Sequence, residues 1–302
     1  MAIADQSEWT SKVLIIDDML TNVMLMEAMT SQLPGVEAVG FTRPIEALIW
    51  CESNEPDLIL LDQIMPEIGG PEMLTRLKAL PSIANTPVIV VTAMEDRQAR
   101  LTALDSGASD FIIKPLDPAE FLVRCRNMLN LAKATRLLQR LATTDELTGL
   151  WNRRHFLTRL GIETDRANRF PGRALSAAVL DIDDFKQIND QFGHAAGDMV
   201  LRQIARIAGD SVRTIDVVGR IGGEEFAIIL PDTDLAGAGV LCERLRQRIE
   251  DYPIVSGTRE LKVTVSGGLA EFTLGERSER LLARADEGLY RAKRAGKNRI
   301  VH

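Results

Sequence analysis

Cysteine is scarce. Cys51, Cys125 and Cys242 are the only three in 302 residues, they stand far apart, and they form no motif. A disulfide framework and a cysteine-built zinc site are thereby excluded, and a reducing compartment fits. Net positive charge is lacking too: 36 Lys and Arg face 43 Asp and Glu, for a formal charge of −7. An acidic surface repels phosphate backbones, so nucleic acid is not an expected partner. One triphosphate remains possible, since a few local cations and a metal suffice to hold it. No run approaches the roughly 18 apolar residues of a membrane span. The opening segment, MAIADQSEWTSK, has no apolar signal core, so a cytoplasmic protein is expected. There is no internal repeat and no low-complexity segment.

What is present suits two ordinary globular domains: 45% hydrophobic and 26% charged residues in a chain of 302. In the first half, Val13–Ile16, Leu58–Leu61, Val88–Val91 and Phe111–Ile113 are short and apolar on both faces, as buried parallel strands are. Amphipathic stretches at Thr21–Ser31, Pro44–Ser53 and Pro71–Leu80 lie between them. This rhythm predicts a doubly wound α/β domain with its site beyond the carboxyl ends of the strands. From Pro118 to Ala142 the pattern is helical. Within it Leu131, Ala134, Leu138 and Leu141 follow a 3-4-3 spacing, the narrow seam of a short coiled coil. The alternative is a single helix packed on its own domain. Beyond Asp145 the pattern mixes types. Leu175–Ile182 reads as a strand, Phe185–Gln191 and Asp198–Val212 as helices, and Val217–Ile221 with Phe226–Leu230 as a hairpin. Helix Leu235–Asp251, strand Leu261–Leu269 and helix Arg280–Ala295 follow. An α+β domain is expected there.

Each front strand ends in a residue able to do chemistry: Asp17 and Asp18, then Asp62, Thr92 and Lys114. A parallel sheet brings all five to one rim. Three carboxylates repel one another, so a divalent cation is expected among them, and an all-oxygen set favours Mg²⁺. A carboxylate beside Mg²⁺, a hydroxyl and an ammonium can accept a phosphoryl group.

In the back half Asp181 ends an apolar strand and Phe185 opens a helix. Acids there can hold metal while the free N–H groups of the first helical turn hold phosphate. The hairpin tip Gly222-Gly223-Glu224-Glu225 adds two carboxylates, and paired glycines let backbone approach a ligand. Metal-assisted phosphoryl chemistry is the reading that unites these parts.

Two resemblances sharpen it. Residues 11–130 resemble the receiver domain of response regulators through Asp17-Asp18, Leu61-Asp62 before Met65-Pro66, Val91-Thr92-Ala93 and Lys114-Pro115. Residues 145–302 resemble the GGDEF domain of diguanylate cyclases, in a GGEEF form. The matching pieces there are Asp145-Glu146-Leu147-Thr148, the Asp181 segment, Gly193-His194 before Gly197-Asp198, Gly222–Phe226, and Ala285-Asp286 before Lys293. Residues 131–144 are left as a helical stalk. The receiver resemblance implies Asp62 as phosphoacceptor, one Mg²⁺ on Asp17, Asp18, Asp62 and the Ile64 carbonyl, and a switch formed by Thr92, Phe111 and Lys114. A histidine kinase is the implied partner.

The GGDEF resemblance implies that two GTP become cyclic di-GMP and two pyrophosphates. Asp181, the Ile182 carbonyl and Glu224 are then ligands of two Mg²⁺ or Mn²⁺ ions, and Glu225 helps to deprotonate the attacking hydroxyl. Asn189 and Asp198 read guanine. Lys293 and Lys297 contact phosphates with the backbone at Phe185 and Lys186. Two such domains must meet, so a homodimer is expected. Arg213 and Asp216, an R-x-x-D, with Arg244 form an inhibitory product site. Two rivals remain: a catalytically dead domain that only binds cyclic di-GMP, and a response regulator whose output is protein binding.

Overall fold

The computed structural model describes residues 10–93, 107–170, 172–256 and 259–302. The opening segment through residue 9 therefore lies outside the described residues. The chain forms two compact units, one ending at Gln139 and the other running Arg140–His302.

The front unit is a five-stranded parallel sheet of order β2-β1-β3-β4-β5. Its strands are β1 (Ser11–Ile16), β2 (Val36–Phe41), β3 (Leu58–Asp62), β4 (Val88–Thr92) and β5 (Asp110–Ile113). Alternate residues of the central strands enter two separate cores. Leu14, Ile16, Ile59 and Leu61 pack on one face with Met73 and Leu77. Val13, Ile15, Leu58 and Leu60 pack on the other with Met26 and Phe121. Burial on both faces explains why these strands read as continuous apolar runs. Strand β2 was not among the runs expected, because Val36–Phe41 is only half-buried at the sheet edge and carries Glu37 and Gly40. Helices α1 (Leu20–Thr30), α2 (Pro44–Cys51) and α3 (Gly70–Lys78) agree with the amphipathic stretches to within one or two residues.

Helix α4 (Pro118–Thr143) is continuous through the division between the units. Its first part buries Phe121, Cys125 and Leu129 in the front unit. The seam residues Leu131, Leu138 and Leu141 are 54%, 66% and 52% exposed. In the single chain, then, the seam does not pack on its own domain. No described helix is long and apolar enough to cross a membrane.

The back unit is built on a six-stranded mixed sheet of order β13-β12-β7-β9-β8-β6. Its strands are β6 (Trp151–Asn152), β7 (Leu175–Ile182), β8 (Val217–Arg220), β9 (Glu225–Pro231), β12 (Val265–Glu271) and β13 (Ile300–Val301). A separate two-stranded ribbon pairs β10 (Ile254–Ser256) with β11 (Arg259–Leu261). Neighbours β12, β7, β9 and β8 are antiparallel, and the outer β13 and β6 pairings are parallel. Helices cover both faces. On one lie α7 (His194–Gly209) and α8 (Leu235–Glu250), and on the other α5 (Arg153–Arg169) and α9 (Ser278–Arg294). The short α6 (Phe185–Phe192) follows β7 directly.

Two expectations are corrected. The helix expected from Asp198 begins at His194, because the break is Gly193 at φ 83° and not Gly197. Gly197 lies inside α7, where an added Cβ would meet Asn189 Oδ1 at 2.0 Å. The strand expected over Leu261–Leu269 is interrupted between Leu261 and Val265. There the Thr264 carbonyl accepts from the Asp183 N–H just beyond the end of β7, and its hydroxyl donates to the Asp183 carboxylate.

Candidate active site

At the carboxyl rim of the front sheet, Lys114 Nζ donates to Asp17 Oδ2 at 2.8 Å and to Asp62 Oδ1 at 2.6 Å. Asp17 also accepts from Asn22 and from the Met19 N–H, and Asp62 Oδ2 accepts from the Ile64 N–H at 3.0 Å. Burial pushes the Asp62 carboxyl up, and the nearby Asp17 adds to this while Lys114 opposes it. Burial alone would lower Lys114, but the two carboxylates outweigh it and raise its pKa. Thr92 is buried at the end of β4, and Phe111 lies under the Arg124 guanidinium, 5.8 Å from ring to carbon. Asp18 stands apart, exposed. Among the described residues no three His, Cys, Asp or Glu side chains gather closely enough to hold a metal. Two of the three acids expected together, Asp17 and Asp62, thus share one ammonium, and Asp18 is exposed.

In the back unit the pairing register sets Asp181 of β7 opposite Glu225 of β9 and Ser266 of β12. The Ile182 N–H reaches over the hairpin to the Glu224 carbonyl at 3.3 Å. Glu225 folds back over the turn, so a Cβ at Gly222 would meet its Oε2 at 2.2 Å. Asp181 is only 6% exposed. Lys293 Nζ stands 2.6 Å from Asp181 Oδ1, an ammonium–carboxylate ion pair at the end of β7. Burial raises the Asp181 carboxyl, with Asp183 and Asp286 adding and Lys293 opposing. Burial likewise raises Glu224, with Asp181 and Glu225 adding. Two acids held near each other, one of them buried and both raised by burial and mutual repulsion, are suited to a divalent cation.

The β7-to-α6 turn is sharp, with Asp184 in the left-handed region at φ 55°. Phe185 is buried, while Lys186 is exposed. The Asn189 amide lies against the backbone of Gly197, next to the half-buried Asp198. Lys297 Nζ donates to Asp184 Oδ1 at 2.5 Å. Both lysines expected on phosphate are thus paired with carboxylates of the β7–α6 segment. Farther along, the Arg213 N–H donates to Asp216 Oδ2 at 2.8 Å, and the buried Asp216 Oδ1 has no hydrogen-bond partner. Burial pushes Asp216 up against the opposing N–H and charge of Arg213. The Arg213 side chain is exposed, and Arg244 Nη2 donates to the Ser211 carbonyl beside it.

Sequence reasoning gave no role to several residues that hold these parts. Arg220 donates to the Gly223 carbonyl at 2.6 Å and also to both oxygens of Asp145. Arg153 holds the Ile221 carbonyl at 2.9 Å. Two guanidinium groups therefore fix the hairpin on either side of Gly222. Asp183 and Asn298 are tied to each other, and Arg246 to Asn298. The only advance signal was an Asp145 motif and an arginine two residues before Gly222.

The family described as Diguanylate cyclase, GGDEF domain matches residues 142–299. The chain belongs to that family. Ahead of its GGDEF domain, residues 13–126 match the Response regulator receiver domain. Response regulator PleD of Caulobacter vibrioides is 36% identical over 96% of this chain, which spans 65% of that relative's length. Diguanylate cyclase DgcP of Pseudomonas aeruginosa is 47% identical over 53% of this chain, a match to 24% of its own length. Among solved structures, the coiled coil and GGDEF domain of DgcB from Caulobacter crescentus, in complex with c-di-GMP, covers 61% of this chain and 97% of its own. The TM-score is 0.56 at 33% identity.

Proposed function

We propose that the GGDEF domain condenses two GTP into cyclic di-GMP and two pyrophosphates, and that phosphorylation of Asp62 governs the rate. The observation that carries this reading is the buried Asp181 beside Glu224 at the hairpin, with the Lys293 ammonium 2.6 Å from its carboxylate. Asp181, the Ile182 carbonyl and Glu224 would hold two Mg²⁺ or Mn²⁺. When bound, such ions neutralise triphosphate charge and lower the pKa of the attacking hydroxyl. Lys293 and Lys297 exchange their present carboxylate partners for the β- and γ-phosphates, assisted by the backbone at Phe185 and Lys186. Asn189 and Asp198 accept and donate along the guanine edge. A carboxylate there can take both the ring N–H and the exocyclic amine, which adenine does not offer together. Glu225, folded over Gly222, is positioned to take the 3′-hydroxyl proton. Each 3′-oxygen bonds to the α-phosphorus of the other nucleotide, and the bond from that phosphorus to the bridging oxygen breaks to release pyrophosphate.

One domain holds one GTP, so two copies must face each other. The exposed seam of Leu131, Ala134, Leu138 and Leu141 is the element we assign to that pairing. In the receiver, Asp17, Asp18, Asp62 and the Ile64 carbonyl would hold one Mg²⁺ beside Lys114. A histidine kinase supplies the phosphoryl group, Thr92 and Phe111 respond to it, and the protein acts in the cytoplasm. Product inhibition is assigned to Arg213, Asp216 and Arg244, whose orphaned carboxylate oxygen and exposed guanidinium groups suit guanine and phosphate.

The test is incubation of the full chain with GTP and Mg²⁺, with and without beryllofluoride, followed by chromatography. Cyclic di-GMP is expected in both, with more after beryllofluoride. No product in either, together with tight binding of added cyclic di-GMP, would replace the cyclase reading with that of a receptor.

A further inference from the structure

The loop from α9 to β13 carries Lys297, and its backbone is unusual. Gly296, Lys297 and Asn298 have φ of 109°, 61° and 46°. Two consecutive L residues in the left-handed region persist only where the surroundings over-determine them. Here the surroundings are a buried carboxylate, Asp183. Its Oδ1 accepts from Ser266 Oγ at 2.7 Å, and its Oδ2 accepts from Thr264 Oγ1 at 2.8 Å and from the Asn298 N–H at 3.0 Å. The Asn298 side chain is gripped as well. Arg246 donates to its Oδ1 at 2.6 Å, and its Nδ2 donates to Glu250 at 2.8 Å. Asp183 lies two residues after Asp181 and next to Asp184, the present partner of Lys297.

We infer that Asp183 is a positioning residue for triphosphate recognition. By holding the Asn298 N–H, it fixes the backbone of the Lys297 loop beside the β7–α6 cradle, so that the ammonium exchanges Asp184 for the β- and γ-phosphates by a side-chain movement alone. This rests on the assignment of Lys297 to phosphate in the preceding subsection. A carboxylate that merely stabilised the fold would not distinguish nucleotides by their number of phosphates. A loop anchor does, because GMP lacks the groups that Lys297 touches.

The experiment measures binding of 3′-deoxy-GTP, which cannot condense, and of GMP to the full chain with Mg²⁺. Lys297→Ala is expected to weaken 3′-deoxy-GTP by about tenfold, the loss of one charge-assisted contact, and to leave GMP within about twofold. Asp183→Ala should reproduce that pattern and add nothing to Lys297→Ala in the double variant, as expected of residues acting as one unit. Asp183→Asn should recover much of the loss. Its amide oxygen can still accept from Asn298, while the Ser266 hydroxyl reverses to accept. Equal weakening of both nucleotides, or additivity with Lys297→Ala, overturns the inference. A Lys297→Ala protein with unchanged preference for the triphosphate overturns instead the assignment beneath it. Should Asp183→Ala not fold, Asn298→Val decides. A β-branched residue at φ 46° disturbs the loop from its half-exposed end, and an unchanged preference in that variant also overturns the inference.

Discussion

The seating of α9 on the sheet can be tested with three glycines that differ only in what a methyl group would strike. At Gly268 in β12, an added Cβ would lie 1.9 Å from the Ala285 carbonyl oxygen and 2.1 Å from the Leu289 nitrogen. Both are backbone atoms of α9, so no rotamer change relieves them. To restore an ordinary contact of about 3.4 Å the helix must recede by about 1.5 Å, the difference from 1.9 Å. Overpacking relieved by side chains costs about 1–3 kcal/mol, so Gly268→Ala belongs at about 3 kcal/mol or beyond. For a domain of this size that is a fall in melting temperature of about 6–12 °C. Because α9 also carries Lys293, 2.6 Å from Asp181, cyclic di-GMP formation should fall by about 100-fold. At Gly267 the same methyl strikes the ends of the Leu180 and Ile300 side chains, at 2.4 and 2.8 Å, and reaches backbone only at the Val179 carbonyl, at an ordinary 3.4 Å, so a loss of about 1 kcal/mol is expected. At Gly239, inside α8, the nearest atom is Leu269 Cδ1 at 3.9 Å, and alanine should stabilise by about 1 kcal/mol through helix propensity. Calorimetry of the three variants reads the order. A Gly268→Ala protein that melts within about 2 °C of the unaltered chain refutes the backbone-on-backbone seating of α9.

Three further outcomes are expected. Asp62→Asn removes the oxygen that Lys114 holds, so beryllofluoride should no longer raise the cyclase rate; an unchanged response would remove Asp62 from the control route. Arg213→Ala should raise the cyclic di-GMP concentration needed for half-inhibition by about tenfold or more, with the uninhibited initial rate unchanged, as read from initial-rate assays. Burial pushes the Cys242 thiol from 9.0 to about 12, so above pH 9 the unfolded chain releases a proton that the folded chain keeps, and this contribution to stability falls as pH rises toward 12. Iodoacetamide at pH 8 should accordingly leave buried Cys51, Cys125 and Cys242 unlabelled until denaturant is added, as mass spectrometry would record.

What could be read in advance and what could not divide along a physical line. A parallel strand buried on both faces announces itself, and so do the residues at its carboxyl end. Asp17, Asp62 and Lys114 were legible in that way, because the sheet brings strand ends to one rim. Edge strand β2 was not, since half-burial lets Glu37 and Gly40 interrupt its apolar pattern. The break before Val265 was missed for a different reason. Thr264 and Val263 suit a strand locally, and only a carboxylate at Asp183, 81 residues away, recruits the Thr264 hydroxyl. Pairings of this kind have no period. Arg220 and Asp145 are separated by 75 residues, Arg246 and Asn298 by 52, and each reads as an unremarkable polar residue until the fold joins them. Which side chains stand at the strand ends and glycine turns could therefore be read, but the scaffold around them could not. That asymmetry is itself informative. The hairpin acid Glu224 lies on a turn whose flanking carbonyls are gripped by Arg153 and Arg220, while Lys297 lies on a loop gripped through Asp183 and Asn298. Hydrogen bonds to charged groups hold the backbone next to both side chains, so in the proposed reading the backbone under each is fixed before substrate arrives, which is the preorganisation that charge neutralisation draws on.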